Sequence, residues 1–345
     1  MDTKKKVFWS LFSILLAGLT IWAVFSQSEG ISVSELIESA KAGDKKWLIC
    51  AVICVLLYIW LEGVALCSIL KGAGYKRNHF KGLLYSTSDI YFSAITPSAT
   101  GGQPASAYFM IADGIPAGVA TASLILNLMM YTISIVVLGI ISVFINYRLF
   151  FDFRPLSKFL IIAGFIILTL FSLFFLSFLR RGDKAFDVVT RFVRFLHRKH
   201  IIHRLEPRLE KIEKTRIEYT ECSEIISGKK STLFKAFIWN FLQRTSQIAI
   251  PMFIYLMLGG QVQKAVSIFA AQCLITIGFN CVPVPGAMGI ADYLMVDGFS
   301  SIVGREQAFT IDMMSRGLSF YICVALSGII TLLGYIIIRR RRANK

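Results

Sequence analysis

Long apolar stretches alternate with short charged ones along most of this chain. A run of about 20 apolar residues is long enough to cross the hydrocarbon core of a bilayer. The pattern predicts an all-α, polytopic membrane protein with about six full transmembrane helices. They lie near Val7–Phe25, Trp47–Leu70, Ala117–Ile145, Ser157–Leu179, Leu233–Leu258 and Asp312–Ile338. The first follows three lysines, but no small-x-small cleavage site follows it, so we interpret it as a retained helix rather than a signal peptide.

Two further apolar regions are interrupted by proline and glycine. Gly82–Asp113 contains "ITPSATGGQPAS" at residues 95–106, and Ala265–Val303 contains "NCVPVPGAMGIAD" at residues 280–292. Each region has room for two short helices. We therefore expect two hairpins that enter the membrane and return to the side from which they came.

The distribution of charge along the chain indicates how these elements are oriented in the membrane. The chain is 55% hydrophobic with a net charge of +16 and a mean hydropathy of +0.64. With the N-terminus inside and both hairpins re-entrant, 27 Lys and Arg residues lie inside and 8 lie outside. Basic residues accumulate on the cytoplasmic side of membrane proteins. We therefore expect both termini in the cytoplasm of a bacterial cell, with the hairpins entering from opposite faces as an inverted repeat gives.

We interpret the whole chain, 1–345, as one transmembrane domain in which 180–232 is a basic, helical, cytoplasmic insertion. A helix is predicted to start at Pro207 and to end at Gly228. An earlier apolar stripe, Phe186, Val189, Val193 and Leu196, lies among arginines. It fits either a helix on the anionic inner leaflet or a helical hairpin packed on itself.

The first interrupted segment has the residues of an anion site. Pro97 and Pro104 stop helices, and Gly101 and Gly102 permit unusual backbone conformations. A half-helix that starts near Gln103 would point free N–H groups into the membrane interior, where they favour an anion such as phosphate. The hydroxyl and amide groups that would join it belong to Thr96, Ser98, Thr100, Gln103 and Ser106.

The second interrupted segment repeats this chemistry. Its helix-breaking residues are Pro283, Pro285, Gly286 and Gly289. A half-helix from about Ala287 would place Asp292 within its first turns, where a carboxylate is favoured.

Charged residues inside apolar helices are the next candidates, because an ionisable group at membrane depth usually faces a partner or an aqueous path. Arg244 lies in the fifth predicted crossing and needs an acid, for which Glu62 and Asp292 are candidates. Asp312 and Arg316 are four residues apart and can pair on one helix face. We hypothesise that Arg244, Arg316 and the half-helix at Gln103 hold a lipid phosphate, with structural pairing between helices as the alternative.

No pattern for catalysis or for a cofactor is found. The chain has no nucleophile elbow, P-loop, zinc-protease pattern or dinucleotide fingerprint. His197, His200 and His203 are spaced for one helix face, but the basic residues among them disfavour a metal. We expect no cofactor, no metal site and no direct contact with nucleic acid.

At these motifs the chain resembles the transmembrane region of lysylphosphatidylglycerol synthases, the bacterial multiple peptide resistance factor family. "TPSATGGQPASAY" and "PVPGAMGIAD" are similar to its two signature segments. In the first, the matching residues are Thr96, Pro97, Gly101, Gly102, Gln103 and Pro104. In the second they are Pro285, Gly286, Gly289 and Asp292. Arg244 and Arg316 look like the recurring intramembrane arginines. Gln103 and Asp292 depart from the pattern, in which an acid and a glutamate are usual.

The resemblance implies a flippase that moves an anionic or aminoacylated phospholipid, such as lysyl-phosphatidylglycerol, between leaflets. Because no acyltransferase domain follows the last helix, we expect no lysyl transfer by this chain alone. Alternatives are a phosphatidylglycerol lysyltransferase that works with a separate synthase chain, a carrier of polyprenyl phosphate or glycolipid, and a membrane scaffold. The expected partner is phosphatidylglycerol or its aminoacyl ester, and a homo-oligomer is compatible with the sequence.

Overall fold

The computed structural model describes residues 38, 40–96, 99–180, 183–198, 205–280, 282 and 289–343. These residues form helices joined by short connections. The helices are α1 (Lys45–Gly72), α2 (His79–Ile95), α3 (Gly102–Ala112), α4 (Ala117–Ile145), α5 (Arg148–Asp152), α6 (Pro155–Arg180), α7 (Asp183–Arg198), α8 (Glu206–Ser227), α9 (Lys230–Met257), α10 (Val262–Asn280), α11 (Ile290–Val303), α12 (Arg305–Arg316) and α13 (Cys323–Ala343). A π-helical turn, Gly317–Ile322, joins α12 to α13.

The protein is an all-α, polytopic membrane protein. Five segments of the described chain are long and apolar enough to cross a membrane. They are α1, α4, most of α6, α10 and Arg305–Arg340. Four of the predicted crossings fall within these segments, while the one at Val7–Phe25 lies outside the described residues. The helix predicted at Leu233–Leu258 exists as α9, but it is not among the five, because polar residues interrupt its apolar sequence.

The region Gly82–Asp113 folds as a helical hairpin of α2 and α3. Asp113, just after α3, accepts hydrogen bonds from Arg77 at 2.7 Å, from Lys81 at 2.5 Å and from the Tyr85 hydroxyl at 2.8 Å. These contacts tie the end of the hairpin to its beginning. Pro116, at the start of α4, follows directly, so the hairpin opens at the N-terminal end of α4.

The region Ala265–Val303 forms a second hairpin, of α10 and α11. Both helices contact the short helix α5, which follows the C-terminal end of α4. Asp297 of α11 accepts a hydrogen bond of 2.5 Å from Ser157 at the start of α6. The two hairpins therefore open at opposite ends of α4. α10 differs from the expectation of two short helices, because it is long enough to cross a membrane by itself.

The segment 180–232 contains α7 and α8. The predicted helix is confirmed, since Pro207 lies in the first turn of α8 and Gly228 caps its end. α8 packs on α4, where a Cβ on Gly118 would meet the Thr215 carbonyl oxygen. α7 packs on α8 through Phe186 and Tyr219, whose ring centroids are 5.5 Å apart. Helix-on-helix packing is therefore present, while the apolar outer face of α7 remains exposed.

Candidate functional site

The first helix break lies between α2 and α3. The Thr96 hydroxyl donates to the Phe92 carbonyl at 2.6 Å and accepts from the Gly101 N–H at 2.8 Å, so it caps both sides of the break. The predicted start of a helix near Gln103 is confirmed, since α3 begins one residue earlier, at Gly102. Thr100 and Pro104 are exposed at the break, while Pro97 and Ser98 lie outside the described residues.

A carboxylate of the chain already faces the N-terminus of α3. Gln103 Nε2 donates to Asp89 Oδ2 at 3.0 Å, and Ser93 donates to Oδ1 at 3.2 Å. An ideal Cβ on Gly102 would lie 2.0 Å from Asp89 Oδ1, so only glycine permits this close approach. The helix end that the sequence predicts to attract a phosphate therefore holds Asp89 in this structure. Sequence reasoning missed Asp89, although it is an acid within an otherwise uncharged helix segment.

The polar network continues from Asp89 into the core. Ser86, three residues before Asp89 on α2, brings the network to Glu62 on α1. Gln243 Nε2 donates to Glu62 Oε2 at 3.1 Å, and Ser86 Oγ lies 3.3 Å from the same oxygen. All four side chains are at least nine-tenths buried. The network thus joins α2 and α3 to α1 and α9 inside the bundle.

Arg244 follows Gln243 on α9, and its guanidinium packs against two tyrosine rings. Its guanidinium lies 3.8 Å from the centroid of the Tyr131 ring and 5.2 Å from that of Tyr58. Its Nη1 donates to Gln247 Oε1 at 2.6 Å, whereas its buried Nε has no hydrogen-bond partner. Neither Glu62 nor Asp292, the acids expected to pair with Arg244, lies within ion-pair distance of it. The charge is held by aromatic faces and an amide instead.

Tyr131 connects Arg244 to the second break. Its hydroxyl donates to Asn280 Oδ1 at 2.6 Å, and Asn280 is the last residue of α10. Tyr131 and Asn280 were not predicted, because a tyrosine or an asparagine in an apolar helix has no distinguishing sequence pattern. Together with Gln243 and Asp89, they form a row of polar groups, the polar path, between the break at α3 and the break after α10.

Beyond the second break, α11 begins at Ile290, three residues later than predicted from Ala287. Gly289 has a positive φ of 78°, and its N–H donates to Asp292 Oδ2 at 2.7 Å. Asp292 thus lies in the first turn, as expected. Pro283, Pro285 and Gly286 lie outside the described residues.

Arg316 pairs with Asp292 rather than with Asp312. The Arg316 Nε lies 2.7 Å from Asp292 Oδ1, and the guanidinium also lies over the ring of Phe320. The expected pairing of Asp312 with Arg316 along one helix face is not formed. Asp312 is fully buried, and neither of its carboxylate oxygens accepts a hydrogen bond.

The other chemical candidates add little to the site. Of the three histidines, His200 and His203 lie outside the described residues. Within the described part of the chain, no group of three His, Cys, Asp or Glu side chains is placed to hold a metal. Ser106, on α3, is fully buried, and its hydroxyl has no hydrogen-bond partner.

These features define a polytopic helical membrane protein in which two opposed, broken hairpins are joined by a buried polar network. The chain belongs to the family described as "Lysylphosphatidylglycerol synthase TM region", whose model matches residues 10–327. The family predicted from the two motifs is thereby confirmed. A "UPF0104 membrane protein" of Archaeoglobus fulgidus is 24% identical to this chain over 301 residues, which cover 85% of this chain and 87% of that protein. No solved structure matches the chain.

Proposed function

We propose that this protein moves an anionic or aminoacylated phospholipid, of the lysyl-phosphatidylglycerol kind, between the two leaflets of the cell membrane. One observation carries the proposal. The Arg244 guanidinium is 7% exposed, lies in the core between the two helix breaks, and has no carboxylate within ion-pair distance in the described chain. Its buried Nε has no hydrogen-bond partner. A buried cation with an unused donor favours an anion, and the phosphodiester of a phospholipid is one.

The hairpins give such an anion a route into the bundle. At 1.5 Å per residue, α2 and α3 span about 25 Å and about 16 Å, less than the roughly 30 Å of a hydrocarbon core. Because both ends of this hairpin meet at Asp113, we infer that it is re-entrant. Non-helical backbone at membrane depth survives where it lines a polar cavity. A headgroup that enters at either break would meet the polar path that Arg244 occupies.

The lipid tails need an apolar surface beside this path. A groove of about 380 Å³ lies on the outside of the bundle between α1 and α13. Its lining is entirely apolar and includes Leu57, Trp60, Leu83 and Leu326. Ile59 also lines the groove, and its carbonyl accepts a hydrogen bond from Ser86, so the groove lies beside the polar network. This arrangement suits a lipid whose chains stay in the membrane while its headgroup passes through the protein.

The test is a leaflet-exchange assay on the purified protein. Liposomes of phosphatidylcholine and phosphatidylglycerol would carry fluorescent phosphatidylglycerol or its lysyl ester, and dithionite would quench the label in the outer leaflet. We expect protein-dependent exchange that falls at least tenfold in Arg244→Ala and several-fold in Gln103→Ala. The matched control is Arg305→Ala, which removes an exposed arginine at the start of α12.

Exchange that Arg244→Ala leaves at the wild-type rate, in a protein that folds normally, would refute the assignment of the headgroup site. A wild-type protein that exchanges neither lipid above the rate of protein-free liposomes would refute the function itself. Thermal unfolding in detergent separates these outcomes from a variant that has lost its fold.

A further inference from the structure

We propose that Gln247 sets the charge preference of the headgroup site at Arg244. It holds the arginine without neutralising it, so that the site selects a phospholipid with a net anionic headgroup, such as phosphatidylglycerol, over the lysyl ester of that lipid. The inference rests on the proposed function and names the substrate class of the same site. It starts from one contact on α9, in which Arg244 Nη1 donates to Gln247 Oε1 at 2.6 Å. The two residues are three positions apart, so their side chains lie on one face of the helix.

The chemistry of this contact determines which way the Gln247 amide points. A guanidinium has donors and no acceptor, so only the oxygen of the amide can face it. Gln247 Nε2, which carries two N–H donors, therefore points away from Arg244. No residue of the described chain accepts a hydrogen bond from this nitrogen. Because the Gln247 side chain is only half-buried, the nitrogen is accessible to a group that enters the bundle.

The acids of the same polar network already have neutral donors. Glu62 Oε2 accepts a hydrogen bond from Gln243 Nε2 at 3.1 Å. Asp89 Oδ2 accepts one from Gln103 Nε2 at 3.0 Å. Each carboxyl group thus contacts the nitrogen end of an amide, whereas Arg244 contacts the oxygen end of one. The amides satisfy both kinds of charged group without bringing an acid within ion-pair distance of the arginine.

Arg244 keeps a donor for a further acceptor. Its buried Nε has no hydrogen-bond partner, and the Tyr131 ring stabilises the positive charge without cancelling it. An anion that reaches Arg244 would find this donor and, one turn along α9, the free N–H groups of Gln247. Donors from a guanidinium and an amide suit the two unesterified oxygens of a phosphodiester.

The net charge of a headgroup then decides how well it fits. Phosphatidylglycerol carries a single negative charge on its phosphodiester. The lysyl ester has the same phosphodiester and adds ammonium groups, which the charge of Arg244 repels in a low-dielectric site. The Gln247 oxygen cannot accept from an ammonium group as well, because it already faces the guanidinium. Since specificity is a difference between two affinities, we expect the wild type to exchange phosphatidylglycerol faster than the lysyl ester.

The diagnostic variant is Gln247→Glu, which keeps the length of the side chain and replaces the amide nitrogen with a charged oxygen. A carboxylate at this position would form an ion pair with Arg244 and present an acceptor where the wild type presents a donor. We expect the exchange of phosphatidylglycerol to fall at least about tenfold, because its phosphate meets a like charge. Exchange of the lysyl ester should fall much less, so the ratio of the two rates changes in favour of the ester.

The experiment measures both rates in the same phosphatidylcholine liposomes, with distinguishable fluorophores on phosphatidylglycerol and on its lysyl ester. Thermal unfolding in detergent is the second measurement. Because Arg244 gains an ion-pair partner in Gln247→Glu, the unfolding temperature should stay the same or rise while the exchange of phosphatidylglycerol falls. A purely structural role of Gln247 would make stability and exchange fall together. Gln263→Glu adds the same charge at an exposed position of α10 and is the matched control, which should keep the wild-type ratio.

Gln247→Met is the second variant, in case Gln247→Glu fails to fold. It removes the amide and adds no charge. We expect the fraction of phosphatidylglycerol needed for half-maximal exchange to rise several-fold, because the headgroup loses the Gln247 donor. Phosphatidylglycerol should still be exchanged faster than the lysyl ester, since Arg244 keeps its charge.

The outcomes separate this inference from the proposed function. A wild-type protein that exchanges the lysyl ester faster than phosphatidylglycerol would overturn the inference and leave the flippase intact. The same holds for a folded Gln247→Glu protein that keeps the wild-type ratio, and for a Gln247→Met protein with the wild-type dependence on phosphatidylglycerol. Absence of wild-type exchange of both lipids would overturn the proposed function, and the charge preference with it.

Discussion

Arg316 Nε lies 2.7 Å from Asp292 Oδ1, so an ion pair joins α12 to the first turn of α11. Asp292 also accepts a hydrogen bond from the Gly289 N–H, and it therefore secures the backbone at the end of the second helix break. One carboxylate thus performs two tasks. It caps a half-helix, and it neutralises an arginine that is 9% exposed.

We expect Asp292→Asn to lower thermal stability in detergent, because it removes the carboxylate that lies 2.7 Å from Arg316 Nε while the arginine charge stays buried. Removal of one member of a buried pair costs about 3–5 kcal/mol. Partial exposure of Asp292 reduces the expected loss to about 1–3 kcal/mol, since solvent screens this ion pair. The unfolding temperature should fall by several degrees.

Glu306→Gln is the control for this change, because it removes an exposed acid in the first turn of α12. The double variant Asp292→Asn with Arg316→Gln should recover part of the lost stability, since it removes both charges. An Asp292→Asn protein as stable as the wild type would show that the ion pair contributes no net stability.

A second prediction concerns the close approach of α2 and α3. We expect Gly102→Ala to reduce lipid exchange strongly, because its Cβ would lie 2.0 Å from both Asp89 Oδ1 and Ser93 Oγ. The two helices must then separate, and Asp89 loses its place at the N-terminus of α3. Exchange and thermal unfolding would be measured together.

Gly317→Ala is the matched control, since a Cβ there meets no atom within 4 Å and its φ of −50° suits any residue. If Gly102→Ala and Gly317→Ala both exchange lipid at nearly the wild-type rate, the prediction is wrong, because α2 and α3 then tolerate the separation.

The sequence predicts where the helices of this protein begin and end better than it predicts which side chains pair between helices. Apolar run length determines where a membrane helix forms, and proline and glycine determine where it breaks, so α4 and the start of α3 follow from the sequence within a residue or two. Which side chains form an ion pair depends on which helices pack against each other. Asp312 and Arg316 have the spacing of a pair, yet the approach of α11 gives Arg316 a different partner in Asp292.

The same limit applies to the polar network. Arg244 is evident from the sequence as a charge in an apolar helix, whereas Tyr131 acquires its role only because α4 packs beside α9. The hydrogen bond from Ser86 to Glu62 likewise requires α1 and α2 to cross, which the absence of a Cβ on Gly63 and Gly82 permits. A Cβ on Gly63 would lie 2.5 Å from the Gly82 backbone.

A third prediction separates the two roles of Tyr131. Tyr131→Phe removes the hydroxyl that donates to Asn280 but keeps the ring beneath Arg244, whereas Tyr131→Leu removes both. The lost hydrogen bond is worth about 1 kcal/mol, and the loss of a desolvated cation–π contact about 2 kcal/mol more. We expect Tyr131→Phe to retain most of its lipid exchange and Tyr131→Leu to lose most of it.

Lipid concentration series would show where each change acts. Loss of the cation–π contact should weaken the apparent affinity for phosphatidylglycerol, because it alters the position of Arg244. Equal effects of the phenylalanine and leucine substitutions would assign the whole role of Tyr131 to its hydroxyl.

A fourth prediction concerns α7, the helix at the cytoplasmic end of α6 in the predicted orientation. Phe192 and Phe195 are more than half exposed, and each directly follows an arginine, Arg191 and Arg194. Exposed aromatic side chains beside arginines can bind an anionic leaflet. The rings enter the membrane interface, and each basic residue near the surface adds about 1 kcal/mol of attraction. We therefore expect α7 to lie on the inner leaflet.

Single tryptophans test this arrangement, with the native tryptophans replaced by phenylalanine. Phe192→Trp should be quenched by brominated lipids in vesicles that contain phosphatidylglycerol, and quenching should weaken when Arg191 and Arg194 are both changed to glutamine. Ile217→Trp is the comparison, because Ile217 is equally exposed on α8 but has Glu213 and Glu218 beside it, which an anionic surface repels. Equal quenching at both positions would contradict the docking of α7, since it would mean that the lipid contact does not depend on the basic face.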